Sequence, residues 1–109
     1  MTYSDYTIEK SGRRGYRITL PCFSGEDDFD SARLMNRFYS TVLEKIRAYA
    51  EESASTASER WFLECSHKVY DDNKLISVEL IAIILGPERR KHTTSVTHVW
   101  KRGIIIKKC

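Results

Sequence analysis

The sequence predicts an α+β domain in which one long helix packs on a curved, mostly antiparallel sheet, in the order β-β-α-β-β-β-β. Three observations carry this. Apolar residues recur at three- and four-residue steps in one stretch, between Leu34 and Tyr49. Apolar and polar residues alternate in the segments on either side of it. Short stretches rich in Gly, Pro, Asp and Asn separate those segments at hairpin-like spacing. The 109 residues suit one domain spanning 1–109.

The opening strands are predicted at 6–10 ("YTIEK") and 16–22 ("YRITLPC"), joined by the loop "SGRRG". Glycines in a short loop favour a hairpin turn. Pro21 cannot donate to a ladder, so the second strand is expected to end there or to lie at an edge. The helix is predicted from about 30 to 52. Leu34, Met35, Phe38, Val42, Ile46 and Tyr49 form its apolar stripe, while Arg33, Arg37, Glu44 and Arg47 mostly fall outside it. Asp30 or Ser31 can cap the first turn by accepting an unsatisfied amide. Phe29 and Leu34 are spaced as a hydrophobic staple. Glu26, Asp27 and Asp28 precede this end, where the helix dipole favours negative charge. "ESASTASE" at 52–59 is expected to end the helix, because small polar residues favour turns over helix interiors.

The remaining strands are predicted at 60–70, 75–85, 92–101 and 104–108, with turns at "DDNK", "GPERRK" and "KRG". Side chains alternate faces along a strand. Ile76, Val78, Leu80, Ala82 and Ile84 make an unbroken apolar row, which marks the core face. A four-residue turn at 71–74 sets 69 against 76, 67 against 78, 65 against 80, 63 against 82 and 61 against 84. Trp61, Leu63, Cys65, His67 and Val69 then share the core face. Thr94, Val96, His98 and Trp100 continue it, and His98 is expected near Leu80. Phe62, Tyr70, Ile81, Ile83 and Leu85 fall on the opposite face. They would leave an apolar patch for a protein partner or for self-association.

Cys65 and His67 suggest a nucleophile with its base, or half of a metal site. Same-face neighbours on a strand stand roughly 6.5–7 Å apart, too far for direct hydrogen bonding. A metal would need further ligands, with His98 reaching across Leu80. The pair is therefore expected in the core, and no catalytic residue, metal ligand or cofactor-binding motif is predicted. The acidic run 26–30 lacks the alternating oxygen ligands of a calcium loop. Arg13 and Arg14, then Arg89, Arg90 and Lys91, then Lys101 and Arg102 make the hairpin tips basic. With Tyr3, Tyr6 and Tyr16 for stacking, they offer an alternative function in nucleic-acid binding. Alternate tips of a meander lie at opposite ends, and a net charge of +3 is modest for that role. Arg89, Arg90 and Lys91 also count as candidate contacts for a protein partner.

Three cysteines at wide spacing make no disulfide framework. No apolar run approaches the ~20 residues that cross a bilayer. The polar start "MTYSDYTIEK" carries no signal peptide, so a cytoplasmic chain is expected.

The order of features also carries a resemblance. "YRITLPCFSG" reads as a strand running into a turn, and "ARLMNRFYSTVLEKI" as a helix with Asn36 in its first half. "HKVYDDNKLISVELIAIILG" reads as a hairpin, and "HVWKRGIIIKK" as a closing hairpin that turns on Gly103. Over roughly 16–108 this resembles the domain of unknown function found in lysozyme-sensing anti-sigma factors and in the non-catalytic part of some bacterial peptidoglycan deacetylases. Where that family often shows a Gly-Gly-Ala-His turn, this chain reads "LGPERRKH" and keeps only Gly86 and a displaced His92. The resemblance implies a binding or sensing module, in a family whose members are generally exported.

Overall fold

A computed structural model of the chain describes residues 1–26, 28–72, 74–87 and 90–109. Asp27 of the acidic run, Asn73 of the "DDNK" turn, and Glu88 and Arg89 of the basic loop lie outside the described residues. The elements are β1 (Thr2–Lys10), β2 (Arg14–Ser24), α1 (Phe29–Thr56), β3 (Trp61–Asp72), β4 (Leu75–Leu85), β5 (Lys91–Lys101) and β6 (Ile104–Lys108). The six strands form one sheet in chain order, and this is the α+β arrangement the sequence predicts. Every neighbouring pair is antiparallel except β2–β3, which is parallel. A parallel pair needs a long crossover, and α1 supplies it.

The helix is longer at both ends than its large apolar residues suggest. It begins at Phe29, with Asp28 in the cap position and no side-chain cap bond, so Asp30 and Ser31 lie inside the helix rather than capping it. Phe29 and Leu34 are 68% and 44% exposed, so they form no staple. At the other end the helix runs on to Thr56 with Ala50 and Ala54 buried, and the Ser55 and Thr56 hydroxyls donate back to the carbonyls of Glu52 and Ser53. The buried stripe is Ala32, Met35, Tyr39, Leu43, Ala50 and Ala54. Tyr49 is exposed and falls off it. Alanines at 32, 50 and 54 add little hydrophobic signal, but their small size lets the helix backbone approach the sheet.

β2 does not stop at Pro21. Its pairing with β3 covers Arg14–Ile18 against Trp61–Cys65, and beyond that β2 loses its neighbour on that side. Alternate residues of a strand aim their backbone groups the same way, so Thr19, Pro21 and Phe23 share the open side. Each is accommodated differently. The Thr19 carbonyl lies 2.8 Å from Nδ1 of His67. Pro21 brings no N–H. The Phe23 N–H donates to Oδ1 of Asn36 at 2.7 Å, and Nδ2 of Asn36 donates to the Phe23 carbonyl at 2.8 Å. An asparagine on the helix thus stands in for a missing strand.

The β3–β4 turn is tighter than expected, with Asp72 paired to Leu75. The register therefore slips by two residues. Val69 faces Val78, His67 faces Leu80, Cys65 faces Ala82 and Leu63 faces Ile84. A slip of two preserves the faces, whereas a slip of one would have exchanged them. On the other side of β4, the pairing with β5 sets His98 opposite Val78 rather than beside Leu80. Ile18, Met35, Val78 and Cys65 are the most deeply buried large side chains. Across the core, Trp100 Nε1–H donates to the Tyr39 hydroxyl at 2.9 Å. The Phe38 ring meets His98 and Trp100 edge-on at 5.0 and 5.2 Å. No helix among the described residues is long and apolar enough to cross a membrane.

Candidate binding face

α1 packs on the face that carries Leu63, Cys65, Val78, Leu80 and Trp100. The other face of β3–β5 reads in register rows. Gly15, Phe62, Leu85 and Lys91 form one row, and Arg17, Glu64, Ile83 and Thr93 the next. Ser66, Ile81 and Ser95 follow, then Lys68, Glu79 and Thr97, then Tyr70, Ser77 and Val99. Phe62, Ile81, Ile83 and Leu85 are half-buried and lie together along β3 and β4. Tyr70 is 55% exposed and stands apart from them, behind the Lys68–Glu79 row. Lys91 is exposed and faces Leu85. Arg90 is exposed, and its carbonyl accepts the Gly86 N–H at 2.8 Å. Arg89 lies outside the described residues.

The topology also sorts the basic tips. Arg14 pairs in register with Trp61, and the Trp61 N–H donates to the Arg13 carbonyl at 2.9 Å. Because Phe62 faces Leu85, the β1–β2 and β4–β5 tips lie at the same end of the sheet. Lys101 and Arg102 turn at the opposite end, where Gly103 adopts φ +77° close against Ser31 and Leu34. Of the tyrosines, Tyr3 and Tyr6 are exposed, but Tyr16 is buried and bonds Glu51 at 3.0 Å, so it is no stacking platform.

Cys65 and His67 do not work as a pair. Nδ1 of His67 meets the Thr19 carbonyl, and its Nε2 lies 3.0 Å from Oδ1 of Asp5 on β1. Both ring nitrogens thus face oxygen acceptors on the β1–β2 hairpin. The Tyr3 ring closes over the imidazole edge-on at 6.3 Å. Burial pushes the Cys65 thiol up to about 11, which keeps it protonated and unreactive at neutral pH. His98 is buried under Phe38, and its Nδ1 has no hydrogen-bond partner among the described residues. Burial, and secondarily Lys108, holds it below the ordinary histidine value. No cluster of three or more His, Cys, Asp or Glu with metal-site geometry occurs among the described residues.

The residues missed by sequence reasoning are Asp5 and Thr19, and Asn36 was noted only through a resemblance. Asp5 precedes the first predicted strand, yet β1 begins at Thr2 and carries it to His67. A polar residue in the first half of an amphipathic helix was the one available signal for Asn36.

These features define a class: a helix-on-sheet α+β module with an uncovered sheet face and a histidine and an asparagine that close the open side of β2. No family model matches the sequence, and no curated protein matches it. Among solved structures, the crystal structure of a DUF3298 family protein from Pseudomonas aeruginosa PAO1 is similar, with a TM-score of 0.66 and 11% identity. The match covers 96% of this chain and 54% of that protein, so this chain spans about half of its length. At this identity the likeness is one of fold.

Proposed function

We propose that the chain is a non-catalytic protein-binding or sensing module, and that it engages a protein partner or a second copy of itself through the uncovered face of β3–β5. The observation that carries this is the contiguous row of Phe62, Leu85, Ile83 and Ile81 on a face that α1 leaves bare. The resemblance to the domain of lysozyme-sensing anti-sigma factors and peptidoglycan deacetylases points the same way. The test combines size-exclusion chromatography with light scattering and capture of partners from the source cells. Ile81→Lys and Ile83→Lys should keep the fold by circular dichroism and lose self-association or capture. A strict monomer whose two lysine variants stay equally soluble and stable, and retain the same partners, would overturn the proposal.

A further inference from the structure

We infer that the tip end of this face docks an acidic protein segment carrying apolar residues, with its carboxylates on Arg13, Arg60 and Lys91 and its apolar side chains on Phe62 and Leu85. This rests on the uncovered face being the binding face, and it names the chemistry of the partner. The three cations come from parts of the chain far apart in sequence, and the fold gathers them. The Arg13 carbonyl holds the Trp61 N–H, Arg60 immediately precedes that strand, and Lys91 opens β5 opposite Leu85. Strands stand about 4.8 Å apart, so the backbone from β2 to β5 spans roughly 14 Å. Arg60 immediately precedes β3 and Arg13 immediately precedes β2, so both stand at the tip end beside Phe62 and its row.

Along the rows of this face, the cations that face no acid gather at this end. Arg13, Arg60 and Lys91 are exposed and make no ion pair with a described residue. One row inward, Arg17 lies 3.7 Å from Glu9 and faces Glu64, so that row holds two acids to one cation. Further along, Lys68 faces Glu79. The exposed Glu59, next to Arg60 in the chain, offsets part of the charge. On the helix side, Glu51 is occupied by Tyr16 and Arg47. A partner matched to this pattern is anionic at one end and apolar beyond it. Nucleic acid fits less well. The basic residues at Lys101 and Arg102 point to the other end of the sheet, Tyr16 is buried, and the face continues into isoleucines rather than stacking rings.

The test titrates the full chain with a labelled peptide that alternates Asp or Glu with Leu or Phe. The same peptide with Asn and Gln replacing its acids, and a single-stranded RNA of similar length, serve as comparators over a salt series. Tryptophan fluorescence gives a second readout, since Trp61 lies between Arg60 and Phe62 in the chain. The acidic peptide should bind, and binding should weaken about tenfold or more in Arg13→Glu/Arg60→Glu and in Phe62→Ser. Lys101→Glu/Arg102→Glu should bind as the parent does. RNA binding as tight as the peptide's, no peptide binding, or indifference to the Arg13 and Arg60 reversals would each overturn this inference. If Ile81→Lys still abolishes association in that case, the binding face stands and only the acidic partner falls.

Discussion

Replacing Asn36 by alanine removes the side chain that, among the described residues, pairs with the Phe23 backbone. Two hydrogen bonds are lost, at 2.7 and 2.8 Å, and a part-buried N–H and C=O are left facing the helix. A bond of this kind contributes roughly 0.5–1.5 kcal/mol net, and a buried group left unpaired costs about 1–3 kcal/mol. Part-burial lets water recover some of that, so the expected loss is about 2–4 kcal/mol. Domains of this size have about 5–15 kcal/mol in total, so the variant should still fold. Urea unfolding, followed by tryptophan fluorescence, should show a lower midpoint with an unchanged slope. Asn36→Asp keeps the acceptor for the Phe23 N–H but sets a carboxylate oxygen against the Phe23 carbonyl, and should be at least as damaging. The Phe23 amide should also exchange with solvent sooner in the alanine variant, because its acceptor is gone. A loss below about 1 kcal/mol, with Phe23 exchange unchanged, would refute the view that Asn36 substitutes for a strand.

Three further outcomes follow from buried groups. In the native protein at pH 8, a thiol reagent should modify the exposed Cys22 and Cys109 quickly and Cys65 only on unfolding, since burial holds Cys65 up to about 11; three thiols reacting together would contradict this. Burial holds His98 below its ordinary value of 6.5 in the folded chain, so the unfolded chain takes up the proton first as pH falls. Stability should therefore drop as pH falls below about 6.5 and level off once the folded ring also protonates, and His98→Phe should flatten that slope in pH-dependent urea unfolding. Gly15→Ala should lower stability by roughly 1–3 kcal/mol, because a Cβ there would collide with the Lys10 carbonyl oxygen, and an unchanged melting midpoint would show that the hairpin end gives way freely.

Much of the fold was legible in the sequence, for reasons tied to particular residues. The row from Ile76 to Ile84 marks the core face of β4, and that assignment survives a register error of two residues because strand faces repeat every second position. The helix ends were harder to read. Ala50 and Ala54 are buried against the sheet, but alanine contributes little to an apolar pattern, so the last turn resembled a loop. Pro21 signalled an edge correctly in one sense, since β2 has no strand neighbour on that side there. What no local pattern shows is the closure of that edge. Asn36 reaches Phe23 from the helix, and Asp5 reaches His67 across 62 positions of sequence, both contacts created by where β3 parts from β2. The shared end of the basic tips is likewise a product of the parallel β2–β3 pair.

That parallel pair also divides the molecule mechanically. β3, β4 and β5 are joined along ten or eleven register positions each, so the candidate binding face lies on continuous ladders. The β1–β2 hairpin is joined to β3 over five positions only, and beyond Ile18 its attachment passes to the side chains of His67 and Asn36. Local stability follows the density of contacts; β2 is also held by Ile18, Leu20 and Phe23 in the core under α1, so the exposed edge strand β1 should be the less firmly held part and the β3–β5 face the more rigid. Rigid strands position contact residues better than loops do. Arg13 is the exception among the proposed contacts, because it sits on the hairpin while Arg60, Phe62, Leu85 and Lys91 sit on or beside the long ladders. A partner that grips Arg13 and Arg60 together would therefore clamp the hairpin to β3 where the strand pairing is shortest.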